Sequence, residues 1–143
     1  MKKSTFQKMI NFLIEIEYDS QRLYHEISSE PKLAKNSAVI KEIARNEILH
    51  AKELEKLRLS NFNLEMPENL IEKHNITEKP AKIKYADFHN YNEAIRFCIK
   101  EEEKAIRIYK DIARCLKHVV TKELFNSICK EEEHNKKILQ KLI

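Results

Sequence analysis

The stretch IKEIARNEILHAKELEKL, residues 40–57, decides how this chain is read. Ile40, Ile43, Ala44, Ala51, Leu54 and Leu57 recur at the spacing of one helix face, so the segment is an amphipathic helix. Glu47 and His50 interrupt that stripe, on the same face as Ile43 and Leu54. Residues three apart are neighbours on a helix surface, so a carboxylate and an imidazole are offered to one point inside the expected core. An ionised side chain there is costly unless it is paired or bound to a metal.

Working outward, the same pattern recurs. In ICKEEEHNKKILQKL, residues 128–142, Glu131 and His134 fall on the face of Ile128 and Ile138. Glu17 shares a face with Ile10, Leu13 and Tyr24, and Glu102 shares one with Ile95 and Tyr109. Glu17 precedes Tyr24 by seven residues, as Glu102 precedes Tyr109; Glu17 to Glu47 is thirty residues and Glu102 to Glu131 is twenty-nine. A single Glu-x-x-His would mean little. Two copies behind matching Glu-x6-Tyr units form an internal repeat.

The stripes predict four long helices at about 4–29, 37–59, 90–116 and 120–142. Pro31 interrupts the first pair, Asn90 and Glu93 have the spacing of a capping box, and Thr121 is a candidate start for the last helix. Residues 60–89 contain Pro67, Pro80, Asn61, Asn63, Asn69 and Asn75 without sustained periodicity, and read as a long crossover with a short helical piece near 67–74. Glycine is absent and proline occurs three times, which excludes a protein of tight hairpins. The expected fold is all-α: an antiparallel four-helix bundle of two hairpins joined by one long crossover, forming a single domain over 1–143.

Four carboxylates turned into one core repel each other and resist burial, and two divalent cations would cancel both penalties. Mixed carboxylate and imidazole donors suit iron, manganese or zinc better than calcium or magnesium. At these residues the sequence resembles the ferritin-like superfamily, and within it the di-iron domain of rubrerythrins. The resemblance covers roughly 6–58 and 90–142. It implies two iron ions, with Glu17 and Glu102 as terminal ligands, Glu47 and Glu131 as bridges, and His50 and His134 each on one metal. Rubrerythrins have a further glutamate three residues along the third helix; here that residue is Ala105, so the implied set is closer to the six ligands of bacterioferritin.

The activity implied is reduction of hydrogen peroxide, or of dioxygen, by an oxidoreductase. Cys98, Cys115 and Cys129 include no C-x-x-C pair, so no rubredoxin-type iron site is encoded and electrons are expected from a separate electron-transfer protein. The alternatives are a ferroxidase that handles iron and a metal-stapled bundle that binds a partner protein. A homodimer in the cytoplasm is expected. The formal charge of +4 is dispersed and gives no nucleic-acid footprint, and the apolar stretch after Lys2-Lys3 is broken by Asn11, Glu15 and Glu17, so neither a signal peptide nor a membrane span is read. Glu15, Glu101, Glu103, Glu132 and Glu133 are expected on the surface, with His25, His74, His89 and His118. Tyr24 and Tyr109 are expected in the core with bonded hydroxyls, and the cysteines among apolar neighbours.

Overall fold

Ser4 accepts a hydrogen bond from the Gln7 amide at 3.2 Å while the Gln7 side chain accepts from the Ser4 amide at 3.0 Å, and this reciprocal cap opens the first helix. The computed structural model describes residues 3–33, 35–60 and 64–143; Lys2 of the basic start and Asn61 and Asn63 of the crossover lie outside the described residues. Among the described residues five α-helices follow in order: α1 Thr5–Ser28, α2 Ser37–Leu59, α3 Asn69–Lys73, α4 Tyr91–Cys115 and α5 Val119–Gln140. No strand occurs among the described residues.

The predicted helices are therefore present, and their ends are set by local chemistry. Asn90 Oδ1 accepts from the Glu93 amide at 2.9 Å, but the Glu93 carboxylate reaches past Asn90 to the His89 amide at 2.8 Å, so the expected box closes one residue further out. His118 Nδ1 accepts from the Thr121 amide at 3.3 Å. That cap starts α5 at Val119, two residues before Thr121.

α1 packs along α2, and α4 along α5. Tyr24 meets Glu102 and Tyr109 meets Glu17, so α1 and α4 run antiparallel; Asn135 meets Glu47 while Glu131 meets His50, which makes α2 and α5 antiparallel too. α2 and α4 consequently point the same way, and the connection between them must travel the length of the bundle. It does so along α1. Arg22 donates to the Ile83 carbonyl at 3.0 Å, and the Tyr85 amide and hydroxyl donate to Glu26 and Glu30 at 2.9 and 2.7 Å. At the other end His74, expected on the surface, is buried against α4, where its Nε2 lies 2.8 Å from Asp111 and Lys73 lies 2.7 Å from the same carboxylate. The crossover periodicity was too short to show this packing.

The core is divided in two. Phe6, Met9, Leu13, Leu54, Tyr109, Ile112, Phe125 and Ile128 belong to one apolar cluster, and Leu23, Tyr24, Ile27, Ile40, Ile43, Ile95 and Leu139 to the other. Between them, at mid-height, lie Glu17, Glu47, His50, Glu102, Glu132 and Asn135, all buried.

Candidate metal centre

Each bundle helix brings one carboxylate to this layer: α1 Glu17, α2 Glu47, α4 Glu102 and α5 Glu132. α2 adds His50 three residues after Glu47, and α5 adds Asn135 three residues after Glu132. Ligand atoms of Glu17, Glu47, His50 and Glu132 all lie within 4.8 Å of one another, close enough to share a metal ion. Glu102 adjoins this group through side-chain contacts with Glu132 and Glu47, and Asn135 Nδ2 donates to Glu47 Oε1 at 3.2 Å.

Tyrosines hold the two outer carboxylates. Tyr109 donates to Glu17 Oε1 and Tyr24 to Glu102 Oε1, both at 2.7 Å. The Glu-x6-Tyr units of the repeat are thus crossed: the tyrosine of each half secures the glutamate of the other. Burial raises both phenols well above their ordinary range, so they stay protonated donors.

Five further atoms of the layer lack partners among the described residues. Glu17 Oε2, His50 Nδ1, Glu102 Oε2, Glu132 Oε1 and Asn135 Oδ1 are buried with no hydrogen bond, although His50 Nδ1 lies only 2.7 Å from Glu132 Oε1 and 3.5 Å from Glu17 Oε2. Buried polar atoms are rarely left so. Four are acceptors, and the fifth is an imidazole nitrogen whose other nitrogen is already engaged by Glu131. A cation suits this set, because it satisfies acceptors that cannot satisfy each other. Without a cation, protons take its place. Burial, with the charges of Glu102 and the neighbouring carboxylates, raises Glu47 and Glu132 well above the carboxylate range, and burial raises Glu102. Glu17 is the exception: burial would raise it, but bonds from Glu47, His50 and Tyr109 prevail and lower it. Burial opposes protonation of His50, yet Glu17 and Glu131 outweigh it and raise the imidazole to about 9.

Of the six residues expected to bind metal, Glu17, Glu47, His50 and Glu102 are brought together here. Glu131 and His134 are not on the core face: the Glu131 side chain is 51% exposed and His134 is exposed. Glu131 instead bonds His50 Nε2 from outside the cluster. The buried positions are Glu132, expected on the surface and 1% exposed, and Asn135, which had not been singled out. The register of α5 accounts for this placement. The stripe of α5 is centred on Phe125, Ile128, Glu132, Asn135 and Leu139, while Leu124, Ile138 and Leu142, which suggested the other register, flank it half-buried. A signal for this existed. Ile40, Ile43, Glu47, His50, Leu54 and Leu57 are followed, eighty-five residues later, by Phe125, Ile128, Glu132, Asn135, Leu139 and Leu142, and the same offset joins Glu17 to Glu102 and Tyr24 to Tyr109. The mismatch of thirty against twenty-nine disappears when Glu132 replaces Glu131.

A four-helix bundle whose core is split by a carboxylate and imidazole cluster defines the class of ferritin-like di-metal proteins. The family model described as Rubrerythrin matches residues 8–143, and the chain belongs to that ferritin-like di-iron family. No curated protein and no solved structure matches it. No described helix is long and apolar enough to cross a membrane.

Proposed function

We propose that the chain is a di-iron redox protein that reduces hydrogen peroxide with electrons from a separate donor. The observation that carries this reading is the convergence of partnerless buried atoms of Glu17, His50, Glu102, Glu132 and Asn135 on one layer of an otherwise apolar core. Glu17, Glu47, His50, Glu102 and Glu132, with Asn135, are the residues that would hold the metals. Glu47 and Glu132 each adjoin carboxylates of other helices, which supports their place in that set. Such a pair, when bound in the ferrous state, would supply the two electrons needed to convert hydrogen peroxide and two protons to two waters.

The chain's own contribution is positioning and exclusion. The two tyrosine hydroxyls fix Glu17 and Glu102 and leave one oxygen of each free. Once His50 is neutral, Glu131 as acceptor for Nε2–H favours the tautomer whose unprotonated Nδ1 faces inward, as outer carboxylates commonly do for ligand histidines. The apolar clusters above and below exclude bulk water, which strengthens every charge interaction in the layer. Peroxide is favoured over dioxygen because one metal pair holds the electrons for one and only half those for the other. The reducing setting expected for such a centre is supported by Cys98, Cys115 and Cys129, all free thiols.

Stopped-flow mixing of the anaerobic, Fe(II)-loaded protein with one equivalent of peroxide or of dioxygen tests the reading. Rapid oxidation by peroxide, slower oxidation by dioxygen and turnover only with an added electron-transfer protein are expected. Oxidation no faster with peroxide overturns the peroxidase reading, and continued uptake of iron far beyond the pair assigns the site to iron handling instead.

A further inference from the structure

Asn135 breaks the two-fold likeness of the site. Through the eighty-five-residue repeat it occupies the position of His50, and each of the other core residues of the cluster has an identical counterpart: Glu17 with Glu102, and Glu47 with Glu132. One end of the layer therefore carries an imidazole and the other an amide. The two differ in more than their donor atom. His50 Nε2 is secured by Glu131, which makes Nδ1 the better donor. Asn135 instead spends its amide nitrogen on Glu47 Oε1, and its carbonyl Oδ1, fully buried, has no partner. A neutral buried carbonyl oxygen without a hydrogen bond among the described residues is an acceptor left for a cation.

Resting on the di-metal reading above, we infer that the two metal positions are unequal: a tight one bearing the His50 imidazole, and a labile one with oxygen donors alone, completed by Asn135 Oδ1. The tight position takes Glu17, Glu47, His50 and Glu132, whose ligand atoms cluster within 4.8 Å. The labile position takes Glu102 and Asn135 and shares Glu47 and Glu132. Divalent transition metals gain affinity from imidazole, and later metals gain most. An all-oxygen position lacks that gain, so its ion exchanges with solution and the isolated chain holds between one and two metals. The consequence for the reaction is that the pair is complete only when the metal supply is high.

Calorimetric titration of the full apo chain with Co(II), without oxygen, reads this directly. Two ions should bind in two steps whose dissociation constants differ by about 10- to 100-fold, the scale on which even outer-shell changes alter metal affinity. Asn135→His should draw the steps together by tightening the second, and His50→Asn should do so by weakening the first. Asn135→Asp, which keeps the side chain's size, should tighten the second step if the histidine variant fails to fold, as judged by circular dichroism. Two equal steps in the natural chain overturn the inequality while leaving the di-metal reading intact. So does a gap between the steps that survives both the His50 and the Asn135 replacements. Absence of any binding overturns the di-metal reading and this inference with it.

Discussion

A phenol hydroxyl stands where a buried carboxylate oxygen would otherwise want water. Tyr109 and Tyr24 each donate at 2.7 Å to a glutamate of the opposite hairpin, and both rings are fully buried. Tyr109→Phe keeps the ring, including its tilted contact with Phe125 at 5.9 Å, and removes only the donor. Losing a buried donor to a charged acceptor should cost about 1–3 kcal/mol. Urea denaturation of the apo protein measures it, and an unchanged midpoint would show that the hydroxyl holds nothing. The roles of the three consecutive glutamates of α5 separate at the same scale. Glu132→Ala should lose metal outright in analysis of the anaerobically Fe(II)-loaded protein, and Glu133→Ala should retain it. Glu131→Ala should retain it more weakly, by about 10- to 100-fold in affinity, since it supports His50 from outside. Equal losses from Glu131→Ala and Glu132→Ala would return a direct ligand role to Glu131.

At the scale of elements, the crossover is secured at both ends by ionisable side chains. Its lower anchor is Asp111 on α4, which faces His74 and Lys73 from the α3 region and Arg114 on its own helix at 3.3 Å. Although burial acts in the opposite direction, bonds from Lys73 and His74 prevail and hold the Asp111 carboxyl below its ordinary value. A carboxyl depressed on folding contributes stability above its unfolded value and loses it as pH falls through the folded one. Asp111→Asn should therefore destabilise the protein at neutral pH, by about 1–3 kcal/mol, and the difference should shrink in acid. Thermal melts of both proteins across that range check it, and a constant gap would mean that shape rather than charge matters at this anchor.

For the whole molecule, the polar layer makes folding, protonation and metal binding one equilibrium. In the apo protein Glu47 and Glu132 are raised well above the carboxylate range by burial and their charged neighbours, and His50 is raised to about 9. Groups whose values rise on folding stabilise fully below the unfolded value and lose that contribution as pH rises through the folded one. For His50 that window runs from 6.5 to about 9. The apo melting temperature should fall across it, whereas the metal-loaded protein should not follow, because ions replace the protons and bind better as protons leave. The gap between loaded and apo melting temperatures should therefore widen with pH. Parallel curves would mean that metal and protons do not compete for the same buried atoms.

The sequence by itself determined the helices, the hairpin and crossover arrangement, and four of the clustered residues, because periodicity along one helix is a property of that helix alone. Ile43, Glu47, His50 and Leu54 could be assigned to one face without knowing what they touch. α5 was different. Its run of Glu131, Glu132 and Glu133 offers a carboxylate on three adjacent faces, and the surrounding apolar residues admit two stripes one residue apart. Only packing chose between them: Phe125 and Leu139 fill the two halves of the core, and the 3.6-residue turn then carries Glu132 and Asn135 inward and leaves Glu131 and His134 outside. His74 was hidden for a related reason, since a short irregular segment has no face until a neighbour gives it one. Tertiary structure also supplied the crossed tyrosines and the missing second imidazole, because both depend on which residues of separate helices meet at one height.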